Sequence, residues 1–327
     1  MRVGLGTVCL SLLFAASLGA VNARADSAAA EPYTLPNTQV RELRSTTNNA
    51  IYRLYIATPA DYATSGKTYP VVYMLDADYS FALTRNVVQH FAERGKLPEM
   101  ILVAIGYPGG ADDMEVYYSN RKRDYTPPRS PLPVGLASGR PNTAPSEDGR
   151  NGQGGAEMFR TFIADQVVPF VEQHFPVSQD RTFIGHSYGG LFGTYVLLTT
   201  PELFKRYVIV SPSLWFDNGS MLRLEPKEVS RRPIQADAYF AIGSRETQAT
   251  TGAPMVQQLK QFTKTLQAQQ SAGLRLTLDV RDGETHESIF PGAVTRGLET
   301  VFQDVLPRTS ASVASTRLEA HRQMFGP

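Results

Sequence analysis

A short apolar strand that ends at a serine between glycines constrains this chain more than any other feature. The segment reads RTFIGHSYGG from residue 181 to residue 190, and an apolar stretch follows it at 191–198. This G-x-S-x-G pattern is typical of a nucleophile elbow, a strand-to-helix turn that holds its serine in a strained backbone conformation. We therefore predict that Ser187 is a nucleophile. The N–H of Tyr188, at the start of the following helix, is predicted to stabilise a tetrahedral oxyanion.

The first 25 residues have the features of a secretory signal peptide. A positively charged start leads into an apolar core at 8–16, which is too short to span a bilayer as a helix, and small residues follow up to Ala25. We expect cleavage before Asp26; a retained membrane anchor is the alternative. The only cysteine, Cys9, lies in this segment, so the mature chain would contain no thiol. A secreted or periplasmic location follows from this interpretation.

The composition of the remaining chain favours one globular domain. Removing the leader changes the formal net charge from +1 to about −1, which gives no basis for bulk nucleic-acid binding. A hydrophobic content of 42% is enough to bury a full core. We predict a single domain at 26–306 and a peripheral C-terminal tail at 307–327. No second apolar run is long enough to span a membrane, and the sequence leaves the oligomeric state open.

Strand-like and helix-like segments alternate along this domain. Alternating polar and apolar residues at 40–57 predict antiparallel opening strands. Further strands are predicted at 70–75, 100–105, 182–185, 207–211, 238–242 and 274–280, and helices at 81–94, 158–174, 254–270 and 290–305. This order predicts an α/β fold with a mostly parallel, doubly wound sheet, whose functional loops gather at the carboxyl ends of the strands. Residues 118–155, rich in proline and glycine, are predicted to be a long active-site loop.

A serine hydroxyl needs a base to remove its proton, and His286 is the best of the five histidines. It lies in the loop after the strand 274–280 and follows the serine in chain order, as this fold requires. His186, inside the elbow, is expected to pack or hydrogen-bond there instead. Glu246, after the strand 238–242, is the predicted acid that orients the imidazole. A surface ion pair with Arg245 is the alternative for that glutamate.

The second oxyanion donor is expected in the loop after the strand 70–75, and we predict that it is the N–H of Asp78. Asp76, in the same loop, is expected to hold the loop together through side-chain hydrogen bonds rather than to take part in the chemistry. No metal ion and no organic cofactor is implied by these residues.

Several segments together resemble the putative-esterase family of α/β-hydrolases. They read YPVVYMLDAD at 69–78, RDYTP at 123–127, GGAE at 154–157, GHSYGG at 185–190 and SPSLWFD at 211–217, and the resemblance runs from about residue 40 to residue 306. Within the family, the second and last segments are most similar to periplasmic esterases of trilactone siderophores. The resemblance implies that Ser187 and His286 are catalytic and that Arg123 and Trp215 lie at the pocket. The chain departs from the common Leu-Asp-Gly pattern at Ala77.

The residues themselves agree with a siderophore substrate in part. A ferric tris-catecholate is strongly anionic, so guanidinium groups should line its pocket. Arg121 and Arg123 are candidates on the predicted loop, which also carries Arg129, Arg140 and Arg150. Trp215 either stacks on an aryl group of the substrate or packs inside the protein.

We therefore predict a serine esterase that hydrolyses the ester backbone of a catecholate siderophore, with or without bound iron. The alternatives are a general carboxylesterase acting on aryl or acyl-sugar esters, acyl transfer to an alcohol, and a non-catalytic module that binds an iron chelate.

Overall fold

The computed structural model describes residues 30–128, 153–223, 233–268 and 273–306 of the 327-residue chain. The chain divides into two compact units, Met1–Thr34 and Leu35–Pro327. Of the first unit only residues 30–34 are described, and they form neither helix nor strand. The predicted signal peptide, the tail 307–327 and residues 129–152 of the predicted loop lie outside the described residues.

An eight-stranded sheet runs through the second unit. Its strands are β1 (Thr38–Arg44), β2 (Ile51–Ala57), β3 (Tyr69–Leu75), β4 (Ile101–Gly106), β5 (Val177–His186), β6 (Arg206–Val210), β7 (Gln235–Gly243) and β8 (Gly273–Arg281). Their order in the sheet is β1-β2-β4-β3-β5-β6-β7-β8. β2 pairs antiparallel with both β1 and β4, whereas all other neighbours pair parallel. The carboxyl ends of β3 to β8 therefore meet at one edge, called the carboxyl edge below.

Helices cover both faces of this sheet. They are α1 (Ala77–Ala92), α2 (Met114–Tyr125), α3 (Ala156–Phe162), α4 (Val168–His174), α5 (Tyr188–Thr199), α6 (Phe216–Arg223), α7 (Gln248–Thr251), α8 (Met255–Ala268) and α9 (Ile289–Val301). α1 and α9 contribute to one apolar core, and α3, α4, α5 and α8 to the other. The predicted α/β class with a mostly parallel, doubly wound sheet is thus confirmed.

Continuous apolar strands follow from this two-sided burial. In β3, the side chains of Val71 and Tyr73 join the core on the α5 side, whereas those of Val72 and Met74 join the core on the α1 side. Successive side chains of a strand point to opposite faces, so a strand covered on both faces needs apolar residues at every position.

The predicted start of the long loop at residue 118 is wrong, because residues up to Tyr125 are helical. Helix α2 begins after Asp113, whose side chain accepts a hydrogen bond of 3.0 Å from the N–H of Val116. The prolines that exclude regular structure begin only at Pro127. The helix predicted at 158–174 is interrupted by a π-helical turn at Ile163–Val167. This turn ends two residues before Pro169, which lacks the N–H for a regular helical bond.

Candidate active site

Ser187 lies in a strained turn between β5 and α5. Its backbone angles are φ 61° and ψ −120°, a conformation that a residue with a side chain rarely adopts. A Cβ atom on Gly185 would collide with the carbonyl of Gly189, and one on Gly190 would lie 2.8 Å from the carbonyl oxygen of Val210. The close approach of strand and helix therefore requires Gly185 and Gly190, whereas Gly189 has ordinary van der Waals room.

His286 and Glu246 meet at the carboxyl ends of β8 and β7. Nδ1 of His286 lies 2.7 Å from Oε2 of Glu246. The other carboxylate oxygen, Oε1, accepts hydrogen bonds from the hydroxyl of Ser211 at 2.6 Å and from the N–H of Gly243 at 2.8 Å. Burial by itself raises the pKa of Glu246, but the hydrogen bonds from His286, Ser211 and Gly243 outweigh it and hold the pKa below its usual value. An ionised Glu246 keeps the proton of the imidazole on Nδ1, which leaves Nε2 as a base.

The loops that carry the predicted acid and the predicted base are bound to each other. The N–H of Arg245 donates to the carbonyl of Glu284 at 3.1 Å, and the hydroxyl of Ser244 donates to Asp282 at 3.2 Å. A Cβ atom on Gly243 would collide with the same Glu284 carbonyl. Glycine at this position therefore allows the contact that sets the relative position of Glu246 and His286.

A cavity of about 640 Å³ opens at the carboxyl edge, a volume that suits a small-molecule site. Ser187 and His286 both line it. Among the described residues, no hydrogen bond joins the hydroxyl of Ser187 to the imidazole of His286; bonds of this kind are often long without substrate and tighten on binding. The apolar and aromatic part of the wall consists of Tyr79, Leu83, Met114, Tyr117, Tyr118, Phe290 and Pro291. A second cavity, of about 500 Å³ between α1 and the end of β2, is lined by neither serine nor histidine.

The predicted oxyanion donors lie in the first turns of two helices. Tyr188 is the first residue of α5 and Asp78 is the second residue of α1, so their N–H groups have no acceptor within their own helices. Both helices begin at the carboxyl edge, next to the ends of β5 and β3. The side chain of Asp78 also lines the cavity, and burial raises the pKa of its carboxyl group.

Arg121 lines the cavity, but its charge is already compensated. Its Nε and Nη2 donate to the two carboxylate oxygens of Asp76, at 2.7 and 2.9 Å. Asp76 also accepts hydrogen bonds from the hydroxyls of Tyr117 and Tyr79, both at 3.0 Å. The hydroxyl of Tyr79 lies 3.3 Å from Nδ1 of His186. We call Arg121, Asp76, Tyr117, Tyr79 and His186 the carboxyl-edge network. Asp76 thus holds its loop by side-chain hydrogen bonds, as predicted.

Two predicted pocket residues are not among the residues that line this cavity. Arg123 does not line it, because its Nε and Nη2 both pair with buried Asp124 at 2.7 Å and its Nη1 donates to Asn120. Trp215 does not line it either; its ring packs 5.9 Å from that of Tyr188 and is partly exposed. Their roles in substrate binding stay predictions.

Sequence reasoning missed Ser211 as a partner of Glu246. It also missed the link from His186, whose Nε2 lies 2.8 Å from the main-chain oxygen of His286. A signal for Ser211 was present in the sequence, since it directly follows a buried strand that neighbours the elbow strand. Its φ of 45° and complete burial are visible only in the fold.

Comparison with known proteins gives the chain its family. Residues 45–300 match the family named Putative esterase. The chain is 31% identical over 301 residues to the ferri-bacillibactin esterase BesA of Bacillus subtilis, which covers 88% of this chain and 97% of that protein. It is 36% identical over 192 residues to the siderophore enterobactin esterase of Emericella nidulans, which covers 56% of this chain and 60% of that protein.

A solved structure has the same fold. An IroE-like serine hydrolase from Shewanella oneidensis superposes with a TM-score of 0.70 and 26% identity, over 88% of each chain. The strand order and the helices on both faces agree with this likeness and confirm the expected α/β-hydrolase fold. The chain therefore belongs to the Putative esterase family and is a carboxylic ester hydrolase.

Proposed function

We propose that this protein is a siderophore esterase in which Ser187, His286 and Glu246 form the catalytic triad. The observation that carries the proposal is the bond of 2.7 Å between Nδ1 of His286 and buried Glu246, in a cavity that Ser187 also lines. The substrate class is supported by the relatives, which are named for ferri-bacillibactin and enterobactin.

The reaction follows from the properties of these groups. His286 Nε2 takes the proton of the Ser187 hydroxyl while Oγ attacks the ester carbonyl carbon, and the N–H groups of Tyr188 and Asp78 stabilise the oxyanion. The bond from that carbon to the alcohol oxygen breaks, and His286 returns the proton to the leaving alcohol. Water then gives its proton to His286 and attacks the acyl-enzyme. Ser187 leaves with that proton, and the free acid is released.

The described wall of the cavity supports aryl groups as part of the substrate. Its aromatic rings and methionine side chain offer contact area, and its arginine is neutralised by Asp76. We infer from this that recognition near Ser187 depends on the shape and the aryl rings of a siderophore more than on its net charge. The protein would act outside the cytoplasm, in the periplasm or after secretion, and mature protein should begin at Asp26. None of the helices in the described ranges is long and apolar enough to cross a membrane.

The triad is tested by three variants with a short-chain chromogenic ester. Ser187→Ala should lower kcat by about 10⁴-fold or more and abolish labelling by a fluorophosphonate. Glu246→Gln should lower kcat by a comparable factor, because the amide no longer holds the productive tautomer. Asp282→Asn is the matched control, since this acid lies in the loop of the base but accepts from Ser244 rather than from His286. Equal effects of the two acid variants would contradict the assignment of Glu246.

The substrate is tested by comparing kcat/KM for ferric enterobactin, iron-free enterobactin and a neutral aryl ester. A siderophore esterase should favour at least one siderophore form over the aryl ester by about tenfold or more. Equal values of kcat/KM for all three substrates would instead indicate a general carboxylesterase. Binding of the ferric form without turnover of any of the three would leave the chelate-binding module.

A further inference from the structure

The base of the proposed triad is held from two sides. Glu246 binds the ring of His286 at Nδ1, whereas His186 contacts its main chain, with Nε2 2.8 Å from the carbonyl oxygen. The two imidazole rings also pack together, with centroids 4.7 Å apart and planes inclined by 36°. His186 is the last residue of β5 and directly precedes Ser187, so one short contact joins the elbow to the loop of the base.

This contact requires a proton on Nε2 of His186. A carbonyl oxygen only accepts hydrogen bonds, so Nε2 of His186 carries a proton. Burial, and then the nearby His286, lower the pKa of His186 to about 4, so the ring is neutral near pH 7. The remaining nitrogen, Nδ1, then carries no proton and lies 3.3 Å from the hydroxyl oxygen of Tyr79, whose own proton is donated to Asp76.

The rest of the carboxyl-edge network holds Tyr79 in place. Its hydroxyl is within 3.0 Å of Asp76, which Arg121 and Tyr117 bind from helix α2. Asp76 directly precedes α1, the helix whose first turn carries the proposed oxyanion donor Asp78. The network therefore connects three segments that must be aligned for the reaction: the oxyanion loop, the elbow and the loop of the base.

We propose that His186 is a positioning residue that donates a hydrogen bond from its Nε2–H to the main chain of His286 and thereby sets the approach of the base to Ser187. The inference rests on the proposed function of Ser187 and His286. A mere packing role would need only the ring of His186, which also lies 5.4 Å from that of Phe290. The hydrogen-bond donor is what the proposal requires.

Two variants separate the donor from the ring. His186→Phe keeps an aromatic ring without a donor, and we expect kcat to fall by about tenfold or more with KM changed by less than about twofold. His186→Gln places an amide N–H near the position of Nε2 and should recover most of the lost kcat. His174→Phe is the matched control, because His174 contacts the carbonyl of Phe170 at 2.8 Å at the end of α4, away from the cavity. It should leave kcat unchanged.

The outcomes decide the question in either direction. An unchanged kcat in His186→Phe, or equal losses in the Phe and Gln variants with unchanged melting temperatures, would overturn the proposal. Nitrogen-15 spectra of histidine-labelled protein at pH 7 give a test that needs no folded variant. Nε2 of His186 should carry a proton, and an Nδ1–H tautomer with an unprotonated Nε2 would overturn the proposal. If Ser187→Ala stays active, the proposed function itself fails; if it is inactive and His186→Phe is not impaired, only this inference fails.

Discussion

The two ends of strand β6 contain contrasting polar groups. At its amino end, Arg206 is completely buried and pairs with Asp180, Asp237 and Asp304, at 2.9 to 3.1 Å; we call these four residues the amino-edge cluster. They come from the beginnings of β5, β6 and β7 and from the segment after α9. At the carboxyl end, Ser211 follows the strand and binds Glu246, close to the carboxyl-edge network.

The two edges differ in which groups the hydrogen bonds of their buried arginines finally reach. All three guanidinium nitrogens of Arg206 are bound by carboxylates, its Nη1 also contacts the carbonyl of Val301, and its guanidinium carbon lies 4.6 Å from the centre of the Phe302 ring. This cluster joins strands to the last helix and offers nothing to a ligand. At the other edge, a similar buried pair of Arg121 and Asp76 leads through Tyr79 and His186 to the main chain of the proposed base. The same ion-pair chemistry therefore stabilises the fold at one edge and sets reaction geometry at the other.

Of the substitutions that test this contrast between the two edges, Arg206→Leu should have the largest effect on stability. It leaves partly buried carboxylates without their cation, so the free energy of unfolding should fall by about 3–5 kcal/mol. The value of kcat, measured well below the unfolding transition, should not change, because the cluster lies at the opposite edge from Ser187. Urea unfolding and steady-state kinetics on the same samples measure both.

Arg275→Leu is the control for that substitution. Arg275 pairs with Asp237 but is 67% exposed, so its removal should cost less than about 1 kcal/mol. A loss of kcat in folded Arg206→Leu protein would show that the two edges are coupled.

Acid titration separates the two edges by pH. The pKa of His186 is about 4 in the folded protein and 6.5 in the unfolded chain, so below pH 6.5 the unfolded chain takes up a proton that the folded protein does not. Stability should therefore fall by about 3 kcal/mol as the pH falls from 6.5 to 4. Burial is the main cause of this low pKa; His286 and Arg121 lower it further, and Asp76 opposes them.

The amino edge should respond only at lower pH. Burial alone would raise the pKa of Asp304, but Arg206 holds it below the usual value, so its contribution to stability is present above about pH 4 and is lost as the pH falls further. Urea unfolding at pH 7, 5.5 and 4.5 should show the first loss in the wild-type protein and a much smaller one in His186→Gln. Equal losses in both proteins would contradict the assignment to His186.

Arg121→Leu tests the carboxyl edge directly. It leaves the charge of Asp76 uncompensated in the loop of the proposed oxyanion donor. At an effective dielectric constant of about 20, two like charges within about 8 Å of each other repel by about 2 kcal/mol or more. We expect kcat to fall by about thirtyfold. Arg123→Leu is the contrast: it also leaves a buried partner, Asp124, and should lower stability, but kcat should be retained because Arg123 does not line the cavity.

The sequence predicted those parts of the site that depend on local motifs and on strand order. A glycine-flanked serine after a strand indicated the elbow, and the rule that loops gather at the carboxyl edge indicated His286 and Glu246, which the structure brings into hydrogen-bond contact. Their catalytic roles stay predictions. Most strands were located to within a few residues, because strands buried on both faces are continuous apolar runs.

The roles of the arginines could not be predicted in the same way. Charge in the sequence indicated guanidinium groups near the site, but each partner is fixed by tertiary packing. Asp124 is buried because Tyr52 and Tyr107 donate to it from distant segments, at 2.9 and 3.0 Å, and this burial makes it the partner of Arg123. Asp76 meets Arg121 across 45 residues. The same limitation applies to Ser211, whose bond to Glu246 spans 35 residues.

The substitution Ser211→Ala has the smallest expected effect on kcat, and it tests the role of the carboxyl end of β6 directly. Ser211 is held at a φ of 45°, and alanine is subject to the same steric strain as serine, so the substitution removes only the bond to Glu246. A lost hydrogen bond to a buried carboxylate should make His286 less well oriented and lower kcat by about tenfold, with little change in KM.

Ser211→Gly removes the same hydroxyl and also relieves the strain, because glycine adopts positive φ freely. Its kcat should match that of Ser211→Ala while its free energy of unfolding is higher, which separates the hydroxyl from the backbone strain. Ser213→Ala is the matched control: its N–H, which alanine retains, donates to the carbonyl of Ser187 at 3.2 Å, and its hydroxyl is not among the donors to Glu246. If Ser211→Ala and Ser213→Ala have the same kcat, the carboxyl end of β6 supports the fold only, and the contrast with its amino end does not extend to catalysis.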